Sequence, residues 1–222
     1  FKITREALLK PLQIVSGVVE KRQTLPILSN VLVNAESDKL TLTGTDLEVE
    51  LTASTQLQGA EKGDITLPAR KFMDICRALP EEANLDISIN GERALIRSGK
   101  SRFTLSTLPA TDFPSTDAVT GAYEFEISQK DLKSLIDRTQ FCMANQDVRY
   151  YLNGLLLEID GDTLRTVATD GHRLAISEIN QELPATDKLQ VIIPRKGVGE
   201  ISRMLSDSDE SCKIQINSNH IR

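Results

Sequence analysis

The sequence predicts an α+β protein built from two copies of one unit. Three observations carry that prediction. Residues 28–51, LSNVLVNAESDKLTLTGTDLEVEL, run parallel to residues 152–175, LNGLLLEIDGDTLRTVATDGHRLA, at a constant offset of 124. Further blocks follow in the same order with offsets that drift only to 126 and 127. Within each copy, apolar residues recur with helical spacing in some blocks and with strand spacing in others.

Each copy opens with a short strand and a helix. ITREALL at Ile3 matches ISQKDLK at Ile127, and Thr4 and Ser128 each precede the helical run as N-cap residues. The helices are expected over 5–20 and 128–144. Strand, turn and strand come next. Leu28 meets Leu152, Leu32 meets Leu156, and Thr45-Asp46 meets Thr169-Asp170. A second helix follows. In LPARKFMDICRAL (67–79), Phe72, Ile75, Cys76 and Leu79 form a core stripe at i, i+3, i+4 and i+7, and Val198, Ile201 and Leu205 repeat it in IPRKGVGEISRML (193–205). ISIN (87–90) then matches IQIN (214–217). The expected domains are 1–121 and 122–222, joined by the Pro-, Thr- and Asp-rich stretch 106–124. Copy one continues through IRSGKSRFTLSTLPATDFP, which copy two lacks, so the sequence reads as part of a longer chain of roughly 370 residues, three units of this size.

Composition bounds the function. The chain has 222 residues, 40% hydrophobic and 26% charged, and no apolar run long enough for a membrane helix. Residues 1–20 do not have the build of a signal peptide. Cys76, Cys142 and Cys212 are far apart, which fits reduced thiols of a cytoplasmic protein better than disulfides or a metal site. No metal or cofactor is expected. The net charge of −6 argues against nucleic acid when taken alone. It is unevenly spread, however. The expected helices carry an excess of five positive charges, which leaves −11 on the rest. A basic helical layer backed by acidic strands would face an anion on one side only, although solvated helix faces of random sign are the plainer reading of this count alone. With no Trp and 4% aromatics, base stacking on single strands is a poor fit. Scattered Lys and Arg can neutralise phosphates without reading bases.

RTVATDGHRLAI (165–176) sets Asp170 beside His172, as in a hydrolase acid–base pair. Copy one keeps Asp46 but has Glu48 in place of His172, so the shared Asp reads as a feature of the turn rather than of a catalytic site. No nucleophile or metal-ligand spacing accompanies the pair. The expected protein is not an enzyme. A repeat scaffold that binds protein motifs but not DNA is the alternative.

LPILSN, LTGTDLE, FTLSTLPATDFP, QDVRYYLNGLLLE, ATDGHRLA and PRKG closely resemble the β sliding clamp family, the processivity subunits of bacterial DNA polymerase III. The resemblance runs from residue 1 to 222. It implies the DNA-clamp fold, in which repeated domains each set two helices on antiparallel sheets. It also implies three domains per chain and two chains in a homodimer ring around double-stranded DNA. By the same resemblance the partners are DNA polymerase III, other polymerases, the clamp loader and repair proteins, all recruited through short linear motifs. DNA contacts carry over to Arg22, Arg70, Gln146, Tyr150 and Tyr151. Packing at a strand start is the plainer reading of the two tyrosines. The peptide-motif pocket carries over to Leu152, Thr169, Gly171, His172, Arg173 and Leu174, with an apolar floor and a polar rim expected. Ordinary core is the lesser alternative for Leu152 and Leu174. The ring interface carries over to Lys71, Lys100, Arg102 and Phe103, which would meet an acidic surface of a third domain.

Overall fold

The computed structural model describes residues 1–19, 25–57, 59–114, 122–184 and 187–222. The chain divides into two compact units, Phe1–Thr116 and Asp117–Arg222. The division falls within residues 115–121, outside the described set, as does the expected boundary after residue 121.

Unit 1 runs β1 (Lys2–Thr4), α1 (Arg5–Val15), β2 (Asn30–Ala35), β3 (Lys39–Thr45), β4 (Glu50–Gln56), β5 (Gly63–Pro68), α2 (Ala69–Ala78), β6 (Asn84–Asn90), β7 (Arg93–Ser98) and β8 (Ser101–Ser106). Two antiparallel sheets result, in the orders β1-β6-β7-β8 and β4-β3-β2-β5. Alternation dictates the inward faces. Leu40 and Leu42 of β3 are fully buried, and Thr41 and Thr43 between them face out, bonded across to Ser54 and Thr52 of β4. Leu8 and Leu12 of α1 and the predicted stripe of α2 (Phe72, Ile75 and Cys76, then Leu79) close the same core.

Unit 2 repeats the plan with β9 (Tyr123–Ser128), α3 (Gln129–Asp137), β10 (Gly154–Asp160), β11 (Thr163–Thr169), β12 (Leu174–Asn180), β13 (Leu189–Pro194), α4 (Arg195–Met204) and β14 (Ser211–Ile216). The sheet β12-β11-β10-β13 matches β4-β3-β2-β5 strand for strand, and β14-β9 matches β6-β1. Asn217 and His220 form a turn after β14, and Gln215 and Arg222 then exchange backbone hydrogen bonds of 2.8 Å. The Ile216–Ile221 bridge thus sits at the register of Ile89–Ala94 in unit 1.

Both predicted caps form. The Thr4 hydroxyl accepts from the Ala7 N–H at 3.3 Å and Ser128 accepts from Asp131 N–H at 3.1 Å. Two helices are shorter than the sequence predicts. α1 stops at Val15 rather than 20, turning through Ser16 and Gly17. α3 stops at Asp137 rather than 144, and Gln140–Cys142 is a separate 3₁₀ turn. Thr139 explains the second break. It is fully buried, and its hydroxyl lies 2.8 Å from the Leu135 carbonyl, to which the Thr166 hydroxyl also donates at 2.9 Å. Side-chain hydroxyls at these carbonyls replace the helical ladder.

The cysteines are free. Cys76 and Cys142 are buried, and burial pushes the Cys76 thiol up to about 12. The exposed cations of α2 are Arg70, Lys71 and Arg77. On α4, Arg203 pairs with Glu200, and Arg195 donates to the carbonyl of Met143 at 2.8 Å. Part of the helical charge surplus is therefore structural. Among the described residues no helix is long and apolar enough to cross a membrane.

Candidate functional site

The aspartate beside the histidine belongs to a backbone turn. Asp170 Oδ1 accepts from the N–H groups of His172 and Arg173, both at 3.0 Å, and Oδ2 accepts from Arg173 Nε at 2.9 Å. Those backbone N–H groups hold the Asp170 carboxyl at about 2, well below the usual carboxylate range. A carboxylate so committed neither orients the imidazole nor takes a proton near neutrality. Thr169 completes the turn: its hydroxyl donates to the Arg173 carbonyl at 2.8 Å and accepts from Gly171 N–H at 3.1 Å. Unit 1 builds the same turn from Thr45 and Asp46, with the Asp46 carboxylate accepting from Glu48 and Val49 N–H. Gly171 has φ +87°, and its counterpart Leu47 has φ 78°.

A second loop stands against this turn. Residues 144–153 lead into β10 and are fixed by Asp147. Its carboxylate accepts Arg149 N–H at 2.8 Å and the Arg149 guanidinium through Nε at 3.0 Å and Nη2 at 2.9 Å. The Arg149 side chain first, and its backbone N–H next, hold the Asp147 carboxyl at about 2. Asn153 exchanges two hydrogen bonds with the Asp147 backbone, and Ala144 N–H donates to Leu152 O at 2.9 Å. Gln146 of this loop takes φ +57°, in the left-handed region. At its tip Tyr150 is 82% and Tyr151 50% exposed, stacked edge to face with centroids 5.8 Å apart. Packing at a strand start does not describe these rings.

Between turn and loop lies a cavity of about 480 Å³. Gln146, Asp147 and Arg149 line one side, Asp170, His172 and Arg173 the other, and Phe141 and Arg195 close it. The Arg173 guanidinium sits 5.7 Å from the centre of the Phe141 ring. Of the predicted pocket residues, His172 and Arg173 line this cavity. Leu152, Thr169, Gly171 and Leu174 do not, so the expected apolar floor is not in it. The reason is strand alternation. Ser177 of β12 faces in, and Leu174 and Ile176 face out. The register sets Ile176, Val167, Leu156 and Ile192 in one row across the sheet, with Leu174 beside Thr169 in the next. The apolar surface is this open sheet face. Leu174 is 60% exposed, which rules out the core reading for it, while Leu152 is half-buried.

In unit 1, Arg22 lies outside the described residues. Arg70 and Lys71 are exposed in the first turn of α2. Lys100 and Arg102 are exposed on the β7–β8 hairpin, and Phe103 is half-buried against the core. β8 is the outer strand of its sheet. Arg97 stands directly opposite Arg102, and Arg93 follows on the same strand. None of these hairpin cations is in an ion pair among the described residues. Like charges set opposite each other cost stability.

Comparison with known proteins fits this geometry. Residues 1–117 match the family model of the DNA polymerase III beta subunit, N-terminal domain, and residues 126–222 match that of its central domain. The chain belongs to the DNA polymerase III beta subunit family. It is 56% identical to the beta sliding clamps of Pseudomonas aeruginosa and Escherichia coli K12, over the whole of this chain and 61% of each relative. The crystal structure of the P. aeruginosa subunit superposes with a TM-score of 0.96, covering all of this chain and 61% of that one. A P. aeruginosa clamp solved bound to griselimycin has 56% identity and a TM-score of 0.94, over all of this chain and 60% of that one. The chain therefore spans less than two thirds of the beta subunits it matches.

Several residues that shape the site are not marked by the sequence alone. Arg149 and Asp147 lie inside QDVRYY, where spacing alone does not mark the pairing that fixes the tyrosine loop. Arg195 sat inside PRKG, and only the fold shows it bonding back to the same loop. Arg93 and Arg97 were signalled by the basic run ERALIRSGKSRF, but opposing them to Arg102 needs the hairpin register.

Proposed function

We propose that this chain is part of a DNA sliding clamp. It encircles duplex DNA as a ring of two longer chains, reads no bases, and tethers polymerases and other partners that carry short linear motifs, among them the clamp loader and repair proteins. The observation that carries the reading is the match of both units, in order and over nearly their full extent, to two consecutive domains of one family at 56% identity.

The geometry supports it in three places. Gln146, Tyr150 and Tyr151 project from a stiffened loop, and with Arg70 and Arg22 they are the proposed DNA contacts. Such side chains hydrogen-bond phosphates and stack on sugars without specifying sequence. Leu174 and Leu152, with Thr169, Gly171, His172 and Arg173 on the turn, are the proposed peptide-docking residues. There the open apolar face supplies anchorage and the polar cavity beside it supplies orientation. Lys71, Lys100, Arg102 and Phe103 are the proposed ring interface, with Arg93 and Arg97 added to its positive side. The reading gives Asp170 and His172 no catalytic role and calls for no cofactor.

A scaffold that binds motifs but not DNA is favoured only by the net charge of −6. The experiment that separates the two uses a protein of the relatives' length carrying this sequence, loaded on a nicked circular plasmid. A clamp is retained on the circle and lost when it is linearised, and its direct affinity for DNA falls with salt through counterion release. Loss at the same rate from circular and linear DNA refutes the clamp.

A further inference from the structure

α2 and α4 are counterparts in the repeat, and each starts directly after a proline, Pro68 and Pro194. Their first helical residues differ. Unit 1 has Ala69, buried at 1% exposure, and unit 2 has Arg195, which is exposed. The start of a helix is the positive end of its dipole, so a cation there gains nothing from the helix itself. The alanine of unit 1 begins the same element without one. What Arg195 holds lies elsewhere. Its Nη1 donates to the carbonyl of Met143 at 2.8 Å and to that of Ala144 at 3.3 Å. Met143 and Ala144 are buried, where a carbonyl left without a donor is costly.

These two residues begin the loop that carries Gln146, Tyr150 and Tyr151. Ala144 N–H donates to Leu152 O and Leu152 N–H donates to Arg149 O, both at 2.9 Å, which closes the loop at its neck. Asp147 then gathers Arg149 and Asn153. These bonds shape the loop from within, and Arg195 ties its neck to α4. The tie matters because the rings at the tip are 82% and 50% exposed, so packing does little to orient them.

We propose that Arg195 is a positioning residue for DNA contact. By clamping the neck of the loop to the start of α4, it holds Gln146, Tyr150 and Tyr151 in the orientation in which they meet the sugar–phosphate backbone. This rests on the reading of that loop as a DNA contact. Arg195 acts through the loop, with its guanidinium committed to the two carbonyls. Without the clamp the loop spreads over more orientations, and the apparent affinity falls with the fraction that remains competent.

The test has two arms. In the 222-residue chain, Arg195→Ala should quicken hydrogen exchange in residues 144–153 by roughly tenfold. Protection in β10 and β11 and the urea midpoint of unit 2 should not change, because Ala69 already serves at this place in unit 1. Unaltered exchange in the loop, or a general loss of protection across unit 2, overturns the proposal. In a protein of the relatives' length carrying this sequence, Arg195→Ala should weaken binding to duplex DNA by roughly fivefold. The slope of log affinity against log salt should stay the same. A slope smaller by about 0.9 would make Arg195 a phosphate contact in its own right and overturn the proposal. Added to Tyr150→Ala with Tyr151→Ala, Arg195→Ala should weaken binding little further, since the groups it positions are gone. A full additive loss overturns it too. If the tyrosine pair variant binds DNA like the parent, the DNA reading of the loop fails and the role of Arg195 with it. If that variant is weakened and Arg195→Ala is not, the positioning role alone fails.

Discussion

The Thr-Asp turn gives a prediction of opposite sign in the two units. Gly171 sits at φ +87° and Leu47, its counterpart, at φ 78°. A residue with a Cβ in this left-handed region carries roughly 1–2 kcal/mol of strain. Glycine avoids the strain but leaves the unfolded chain freer, which costs about 0.4–1 kcal/mol. Gly171→Ala should therefore destabilise unit 2 by about 1 kcal/mol, the difference between the two terms. The steric addition is small, because the new Cβ would meet only the Arg149 guanidinium, at 3.2 Å, which is the far end of a flexible side chain. Leu47→Gly should stabilise unit 1 by up to about 1 kcal/mol by the same bookkeeping. Little burial is lost, since Leu47 is 62% exposed. All three tyrosines, Tyr123, Tyr150 and Tyr151, lie in unit 2 and there is no Trp. Tyrosine fluorescence during urea unfolding therefore follows unit 2 alone, and Gly171→Ala should lower its midpoint by roughly 0.5 M. Unit 1 is read by hydrogen exchange of β2 and β3. An unchanged tyrosine transition in Gly171→Ala, or a loss of protection in Leu47→Gly, would refute backbone sign as the controlling term.

Three further outcomes follow from the site. Leu174→Asp should abolish most binding of a motif peptide by setting an unpaired charge on the apolar face, and His172→Ala should weaken it only a few-fold; calorimetric titration showing both variants equal to the parent would remove this stretch from the docking site. The Asp147 and Asp170 carboxyls are depressed to about 2 in the fold, so their stabilisation is fully present above the unfolded value near 4 and is lost as pH falls from there through about 2. Exchange protection in residues 144–153 and 170–174 should decline across that window, with a shallower slope in Asp170→Asn; an identical slope in the variant would contradict the assignment. Cys76, buried and raised to about 12, should resist alkylation at pH 8 until unit 1 unfolds, and labelling of the native chain at Cys76 at the rate of a free thiol would show the assigned burial to be wrong.

Much of the fold was legible because both units write it in the same period. Leu40 and Leu42, and Phe72 through Leu79, fall inward by alternation and by helical spacing, and nothing in the tertiary structure contradicts them. The end of α3 was not legible. Leu135 and Ile136 continue the helical pattern toward Cys142, and only the arrival of Thr166 from β11 beside Thr139 shows why the ladder stops. The pocket was half legible for a similar reason. Sequence marks His172 and Leu174 as neighbours, but residues two apart in a strand face the same side only when the strand has begun. β12 begins at Leu174, so His172 follows the geometry of the turn and points to the polar cavity, while Leu174 follows that of the sheet.

The duplication separates what the turn needs from what the site uses. In both units a threonine hydroxyl and an aspartate carboxylate satisfy the backbone N–H groups of the three residues that follow the aspartate, at nearly the same distances. That scaffold makes no demand on the side chain two places after the aspartate, which is exposed in both copies. It is Glu48 in one and His172 in the other. In unit 2 both Asp170 oxygens are engaged, Oδ1 by two backbone N–H groups and Oδ2 by Arg173 Nε, and His172 lines the cavity instead of pairing with the aspartate. The same freedom runs one step further along. Val49 is half-buried against the core of unit 1, whereas Arg173 is released to the surface, where it pairs with Asp170 and lies over Phe141. The turn is thus kept for its backbone geometry, and its outward side chains vary between the two units.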